Sequence, residues 1–245
     1  MRAPEFLHMR NPRPARSGYR TSPSSSRLRL RGGEGNSMCL GLRMRIRYNE
    51  RMQDTKKKFD GIVASLVPIA EPERRIKAFK LVRDIPYGNI GSRSPYDVLE
   101  ANKGTCSGKH ALLKLILEAL GYEVQSWFAL HDFSKFPITP WPSELEEFHT
   151  MNLPDYHDFL KVRVDGKWVV VDAIFDKPLK NLGFPVQDWD GISDMKLPVQ
   201  VSEVFKAEGQ MEEDKKRLIA ALPQELQVAR KKFLEALTRW LDEHR

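Results

Sequence analysis

The run from His157 to Asp176, HDFLKVRVDGKWVVVDAIFD, consists of two β-rich segments joined by Asp165-Gly166. Both central positions of a two-residue hairpin turn need positive φ, which Asp-Gly tolerates, so the run predicts an antiparallel hairpin. The turn also sets the register: Phe159 faces Asp172 and His157 faces Ile174, which leaves His157 and Asp172 as diagonal neighbours on one face. Such neighbours lie about 7–8 Å apart at the backbone, within reach of an imidazole–carboxylate hydrogen bond. A slip of one residue would separate them. Asp172 closes the apolar stretch Trp168 to Val171, where a carboxylate is costly to bury without a partner.

A second constraint is CSGKHALLKLILEALG, which begins at Cys106. Ala111, Leu112, Leu115, Ile116 and Ala119 form one apolar stripe, Gly121 is a C-terminal stop and Thr105 a fitting N-cap, so the segment predicts a buried helix with Cys106 at its first position. Free amides at a helix start favour negative charge, and the thiolate is the nucleophilic form of cysteine. A cysteine in that place is by itself more often a packed, inert residue; it needs a base. His110, one turn along the same helix, is a rival to His157, but a base on that helix leaves nothing to orient it. His131 and His149 read as surface loop residues, and no His/Cys group has metal-ligand spacing.

The 245 residues carry a formal charge of +7, which would point to nucleic acid if it were spread evenly. It is not. Residues 1–47 contain 11 Arg, no Lys and only Glu5 and Glu34, so the remaining 29 basic side chains stand against 31 acidic ones. That first segment is rich in Arg, Ser, Pro and Gly and predicts a disordered arm. Three readings stand for it: translated upstream sequence ahead of a start at Met38, Met44 or Met52, an organellar presequence, or an RNA-binding arm. No apolar run approaches the roughly 20 residues of a membrane span, so the expected protein is soluble and cytoplasmic, with an organellar location as the alternative. The two cysteines, Cys39 and Cys106, argue against a disulfide framework.

Elsewhere, helical spacing is expected from Asn49 to Leu66 and from Pro72 to Val82, with a short helix in SPYDVLEANKG stopped by Gly104. YEVQSWFAL reads as a strand, residues 131–155 as a Pro-broken insertion, and residues 177–201 as irregular. Residues 211–245 read as two helices broken at Pro223, with Leu226, Phe233, Leu237 and Trp240 turned inward. The expected organisation is an arm over 1–47, a catalytic domain over 48–205 and a C-terminal helical appendage over 206–245.

KGTCSGKHALLKLILEALGYEV and the hairpin that follows it resemble the transglutaminase-like superfamily of Cys-His-Asp, papain-like thiol enzymes. The matching positions are Gly104, Cys106, Leu120-Gly121, His157, the run Asp165 to Val169, and Asp172, about a third of the chain. Asp158 and Phe159 depart from the small residue and aromatic common after the histidine, and Ala173 stands where proline is common. The resemblance implies an α+β fold, a Cys-bearing helix on a small antiparallel sheet. It also implies a nucleophile in Cys106, a base in His157 and an orienter in Asp172, with no metal or cofactor. Tyr87, Asn89 and Tyr96 are the candidates for the second oxyanion donor beside the Cys106 N–H. The implied reaction is acyl transfer through a Cys106 thioester, with hydrolysis of a peptide or other amide bond favoured. The alternatives are transfer from protein glutamine to an amine, and a non-catalytic peptide-binding module on the same scaffold. The expected partner is a peptide or protein, with nucleic acid bound only through the basic arm.

Overall fold

The computed structural model describes the backbone of residues 35–245 and the side chains of residues 49–245; the first 34 residues of the arm expected over 1–47 lie outside the described residues. Helix α1 spans Gly35–Leu66, so the irregular stretch expected to reach Arg47 gives way to helix at Gly35. Residues 45–245 form one compact unit, in which the segments 48–205 and 206–245, expected to be separate, share a core.

The unit is α+β. Helices α2 (Glu73–Arg83) and α3 (Pro95–Ala101) precede α4 (Cys106–Ala119). Strands β1 (Val124–Asp132), β2 (Pro154–Val164), β3 (Lys167–Val171) and β4 (Val201–Lys206) form one antiparallel sheet in the order β3-β2-β1-β4. Short helix α5 (Glu146–His149) lies between β1 and β2, and α6 (Met211–Ala220) and α7 (Gln224–His244) follow β4. No helix among the described residues is long and apolar enough to cross a membrane.

The hairpin has the register that its turn demands. Val164 pairs with Lys167 and Leu160 with Val171, while Asp165 and Gly166 take φ of 48° and 81°. Helix α3 ends at Asn102, in the left-handed region at φ 46°, instead of at Gly104. Gly104 has a different use: a Cβ there would meet Val98 Cγ2 at 2.9 Å, so its lack of a side chain lets α3 approach the start of α4. β4 was not anticipated. VSEVFK is largely exposed and pairs on one side only, so its pattern lacks the apolar face that marks a core strand.

Two apolar clusters hold the unit together. In the first, Leu112, Leu113, Ile116 and Leu117 of α4 pack on Leu160, Val162 and Val171 of the sheet and on Phe79 and Val82 of α2. In the second, the segment expected to be a loop insertion buries Phe133, Phe136, Leu145, Phe148 and Leu153, and α7 contributes Phe233, Leu237, Trp240 and Leu241. The Phe133 and Phe233 rings meet with centroids 4.4 Å apart. Cys106 belongs to this second cluster, so the C-terminal helices build the surroundings of the thiol.

Candidate active site

Cys106 opens α4 and is 6% exposed. Thr105 occupies the N-cap with extended backbone, but its hydroxyl makes no capping hydrogen bond; only its carbonyl serves, accepting from the Lys109 N–H. The first-turn amides therefore keep their free N–H groups at the cysteine end.

His157 and Asp172 meet as the hairpin register requires: Nε2 of the ring lies 2.5 Å from Oδ2 of the carboxylate, and both side chains are buried. Asp172 Oδ1 accepts from the Ile174 N–H at 3.1 Å, which pins the carboxylate just past the end of β3. Burial alone would lower the His157 pKa, but the charge of Asp172, its hydrogen bond and the neighbouring Cys106 thiol outweigh it and push the value up to about 10. Burial likewise works against ionised Asp172, and His157 and His110 hold it well below the usual carboxylate range. Nε2 is committed to Asp172, which leaves Nδ1 as the ring nitrogen able to exchange a proton with another group.

His110 takes a supporting place. Its Nε2 accepts the Ala173 N–H at 2.9 Å and lies 3.5 Å from Asp172 Oδ1, so it steadies the chain that carries the carboxylate. His131, expected on a surface loop, is instead buried in β1 opposite Asp155. The ring edges of both His110 and His131 approach His157, with centroids 5.9 and 6.3 Å away. His149 is part exposed and stacks on Trp141.

Three residues at the sulfur went unnoticed in the sequence. Asp158 Oδ2 lies 3.3 Å from Cys106 Sγ and accepts from the Ser107 hydroxyl at 2.6 Å. Lys215 of α6 reaches over with Nζ 2.5 Å from Asp158 Oδ2, 2.9 Å from Ser107 Oγ and 3.6 Å from Cys106 Sγ. Desolvation works against the buried ammonium, yet Asp158, Cys106 and Asp155 raise its pKa, so it stays charged. Asp158 carried a signal: an acidic residue next to a histidine inside an apolar strand has to find a counter-charge. Lys215 carried none, because MEEDKKRLIA reads as a solvated helix.

The three oxyanion candidates separate. Tyr87 is 3% exposed and lines a cavity of about 320 Å³ together with Cys106 and Ser107. Its hydroxyl has no partner among the described residues, and burial, with Cys106 and Asp155 nearby, raises its pKa well above the ordinary value, so it remains an O–H donor. Asn89 lines the same cavity, and its Oδ1 accepts from the Gly91 N–H at 2.9 Å, which fixes the amide and leaves Nδ2 as its donor. Tyr96 is outside it: the ring packs edge-on against Phe59 in the first cluster, at 6.0 Å between centroids. The loop direction that decides between these tyrosines is invisible in the sequence.

Behind the site, Lys109 donates to the carbonyls of Arg83, Ile85 and Ile174 at 2.6–3.0 Å, tying the α2 exit to the segment after Asp172. Complete burial outweighs Asp176 and Asp172 and lowers its pKa to about 7.

No family model matches the chain, and no curated protein matches it either. Among solved structures it is similar to a protein from Cytophaga hutchinsonii described as a "putative cysteine protease", at 17% identity and a TM-score of 0.36. That likeness covers 53% of this chain and 40% of the other.

Proposed function

We propose that the protein is a thiol acyl-transfer enzyme of the transglutaminase-like kind, which hydrolyses a peptide or related amide bond through a Cys106 thioester. The observation that carries this reading is the buried His157–Asp172 pair, held at 2.5 Å, together with Cys106 at the α4 start, whose thiol is near enough to help raise the His157 pKa. In the first half-reaction the Cys106 thiolate attacks the carbonyl carbon and the π electrons move to oxygen. The Cys106 N–H and the Tyr87 hydroxyl are the donors for that oxyanion. Collapse expels the amine, which leaves with the proton of His157. In the second, water gives a proton to His157 and attacks the thioester; the acid departs and the thiolate returns beside an imidazolium.

Asp158 alone would oppose a thiolate 3.3 Å away, and Lys215 offsets that charge from the other side. Water is favoured over an amine as acceptor because the cavity lining is net cationic, Arg93, Lys215, Arg230 and Lys231 against Asp155, which disfavours an incoming ammonium.

The test is alkylation of Cys106 by iodoacetamide, read on the Cys106 peptide by mass spectrometry. Rapid labelling at pH 6, where an ordinary thiol is protonated, and its loss in His157→Ala are expected. Labelling at pH 6 no faster than that of glutathione, and indifferent to His157→Ala, overturns the proposal.

A further inference from the structure

The cavity beside Cys106 carries more positive charge than its own carboxylates satisfy. Asp155 is already committed: Oδ1 takes the Arg230 Nε at 2.5 Å and Oδ2 lies 3.8 Å from His131. Asp158 is spent on Lys215. Two guanidinium groups remain with donors to spare. Arg93, in the loop before α3, has no ion pair or hydrogen bond with any described residue, although it is half-buried and lines the cavity. Arg230 uses only Nε; its two terminal nitrogens have no partner among the described residues and are not sealed from solvent. Arg93 is also close to the thiol along the chain path, because its backbone lies against Gly108, two residues past Cys106: a Cβ on Gly108 would stand 3.7 Å from Arg93 Cα. Lys231 adds a further cation at the exposed rim. This excess is local, since residues 48–245 hold slightly more acidic than basic side chains.

An unpaired guanidinium presents a planar fork of donors whose natural complement is a carboxylate bound through both oxygens. We infer that the cavity beside Cys106 is a carboxylate-binding subsite, in which Arg93 and Arg230 hold an anionic group of the acyl substrate next to the scissile carbonyl. The inference rests on the acyl-transfer reading for its orientation toward Cys106. The carboxylate belongs either to an acidic side chain of a peptide or to its free C-terminus.

Iodoacetate and iodoacetamide deliver the same carbon to sulfur and differ by one carboxylate, so their rates at Cys106 of the full chain separate the two ideas. The ratio of the iodoacetate to the iodoacetamide rate is expected to exceed the glutathione ratio by about tenfold, as for a cleft that concentrates an anion. It should fall toward the glutathione value in Arg93→Gln and in high salt, hold better in Arg93→Lys, and stay unchanged in Lys167→Gln at the distant hairpin turn. If neither reagent labels Cys106 faster than glutathione, the acyl-transfer reading fails. If iodoacetamide does while the ratio matches that of glutathione, the carboxylate subsite alone is overturned. Protection of Cys106 by N-acetyl-Glu-Ala-amide assigns the carboxylate to a side chain, and protection by N-acetyl-Gln-Ala with a free C-terminus assigns it to a chain end. Protection by neither at millimolar concentration overturns the substrate assignment.

Discussion

Lys215 Nζ lies 3.6 Å from the Cys106 sulfur, although 109 residues separate the two in the chain. The ammonium comes from α6 and is 1% exposed, with Asp158 as its counter-charge. Taking one member from a buried pair leaves the other charge stranded. Lys215→Met is therefore expected to cost about 3–5 kcal/mol, and Asp158→Asn with Lys215→Met much less than the sum of the two single changes. Chemical denaturation of the four proteins of that cycle checks it; additive losses would show that the pair is not coupled.

The same pair makes a prediction for the thiol. Lys215→Met leaves Asp158 facing the sulfur uncompensated, whereas Asp158→Asn leaves Lys215 unopposed. Iodoacetamide labelling of Cys106 at neutral pH should fall by about tenfold or more in the first variant and hold or rise in the second, since charges this close differ by more than 1.4 kcal/mol even with strong screening. Equal losses in both would mean that the residues serve packing alone.

How much of this was legible depended on how local the cause was. The Asp165-Gly166 turn fixes its register within a few residues, so the meeting of His157 with Asp172 could be read from the hairpin alone. The start of α4 at Cys106 was likewise legible from the helical apolar spacing after it, although Thr105 caps only through its carbonyl and the buried face runs through Leu112, Leu113, Ile116 and Leu117, leaving Ala119 exposed. Lys215, Asp155 and Arg230 come together through the docking of α6 and α7, and nothing near them in sequence records it. Residues 133–153 looked like a surface excursion because proline interrupts their periodicity, yet their aromatic side chains find α7 and form a core. β4 escaped notice for the opposite reason, because an edge strand exposed on most positions carries no apolar face.

That second core has a measurable consequence. Phe233 is fully buried against Phe133, Phe136 and Phe148, so Phe233→Ala should destabilise the protein by about 3–5 kcal/mol. A loss below about 1 kcal/mol in urea denaturation would show that α7 is a loosely attached appendage.

Two buried bases behind the thiol pull the pH dependence of stability in opposite directions. His157 titrates near 10 when folded and at its ordinary 6.5 when unfolded, so its contribution is complete below 6.5 and is lost as pH rises toward 10. Lys109 titrates near 7 when folded against 10.5 unfolded, so the unfolded chain binds the extra proton between those values and stability rises with pH across the same window. The two slopes oppose each other in the native protein. Lys109→Met removes the rising term, so its stability should fall from pH 7 to 10; Asp172→Asn removes the cause of the falling one, so its stability should rise. Denaturation midpoints across that range decide the matter, and parallel curves for both variants would show that neither group titrates as its surroundings require.

Gly108 makes the closest helix contact in the site. A Cβ placed there would stand 2.5 Å from Val98 Cγ2, and that methyl belongs to a buried side chain with no free direction to move. Alanine is the better helix former by about 1 kcal/mol, so in an exposed helix this change would stabilise. Here overpacking is expected to win, with Gly108→Ala costing about 1–3 kcal/mol net. The distinguishing measurement is the double variant: Val98→Ala removes the clashing methyl, so it should cost less in the Gly108→Ala background than in the native one. Since the Arg93 backbone rests on the same glycine, Gly108→Ala should also lower the iodoacetate preference of Cys106, and Val98→Ala should restore part of it. Equal costs for Val98→Ala in the two backgrounds would place the loss in α4 itself, with α3 undisturbed.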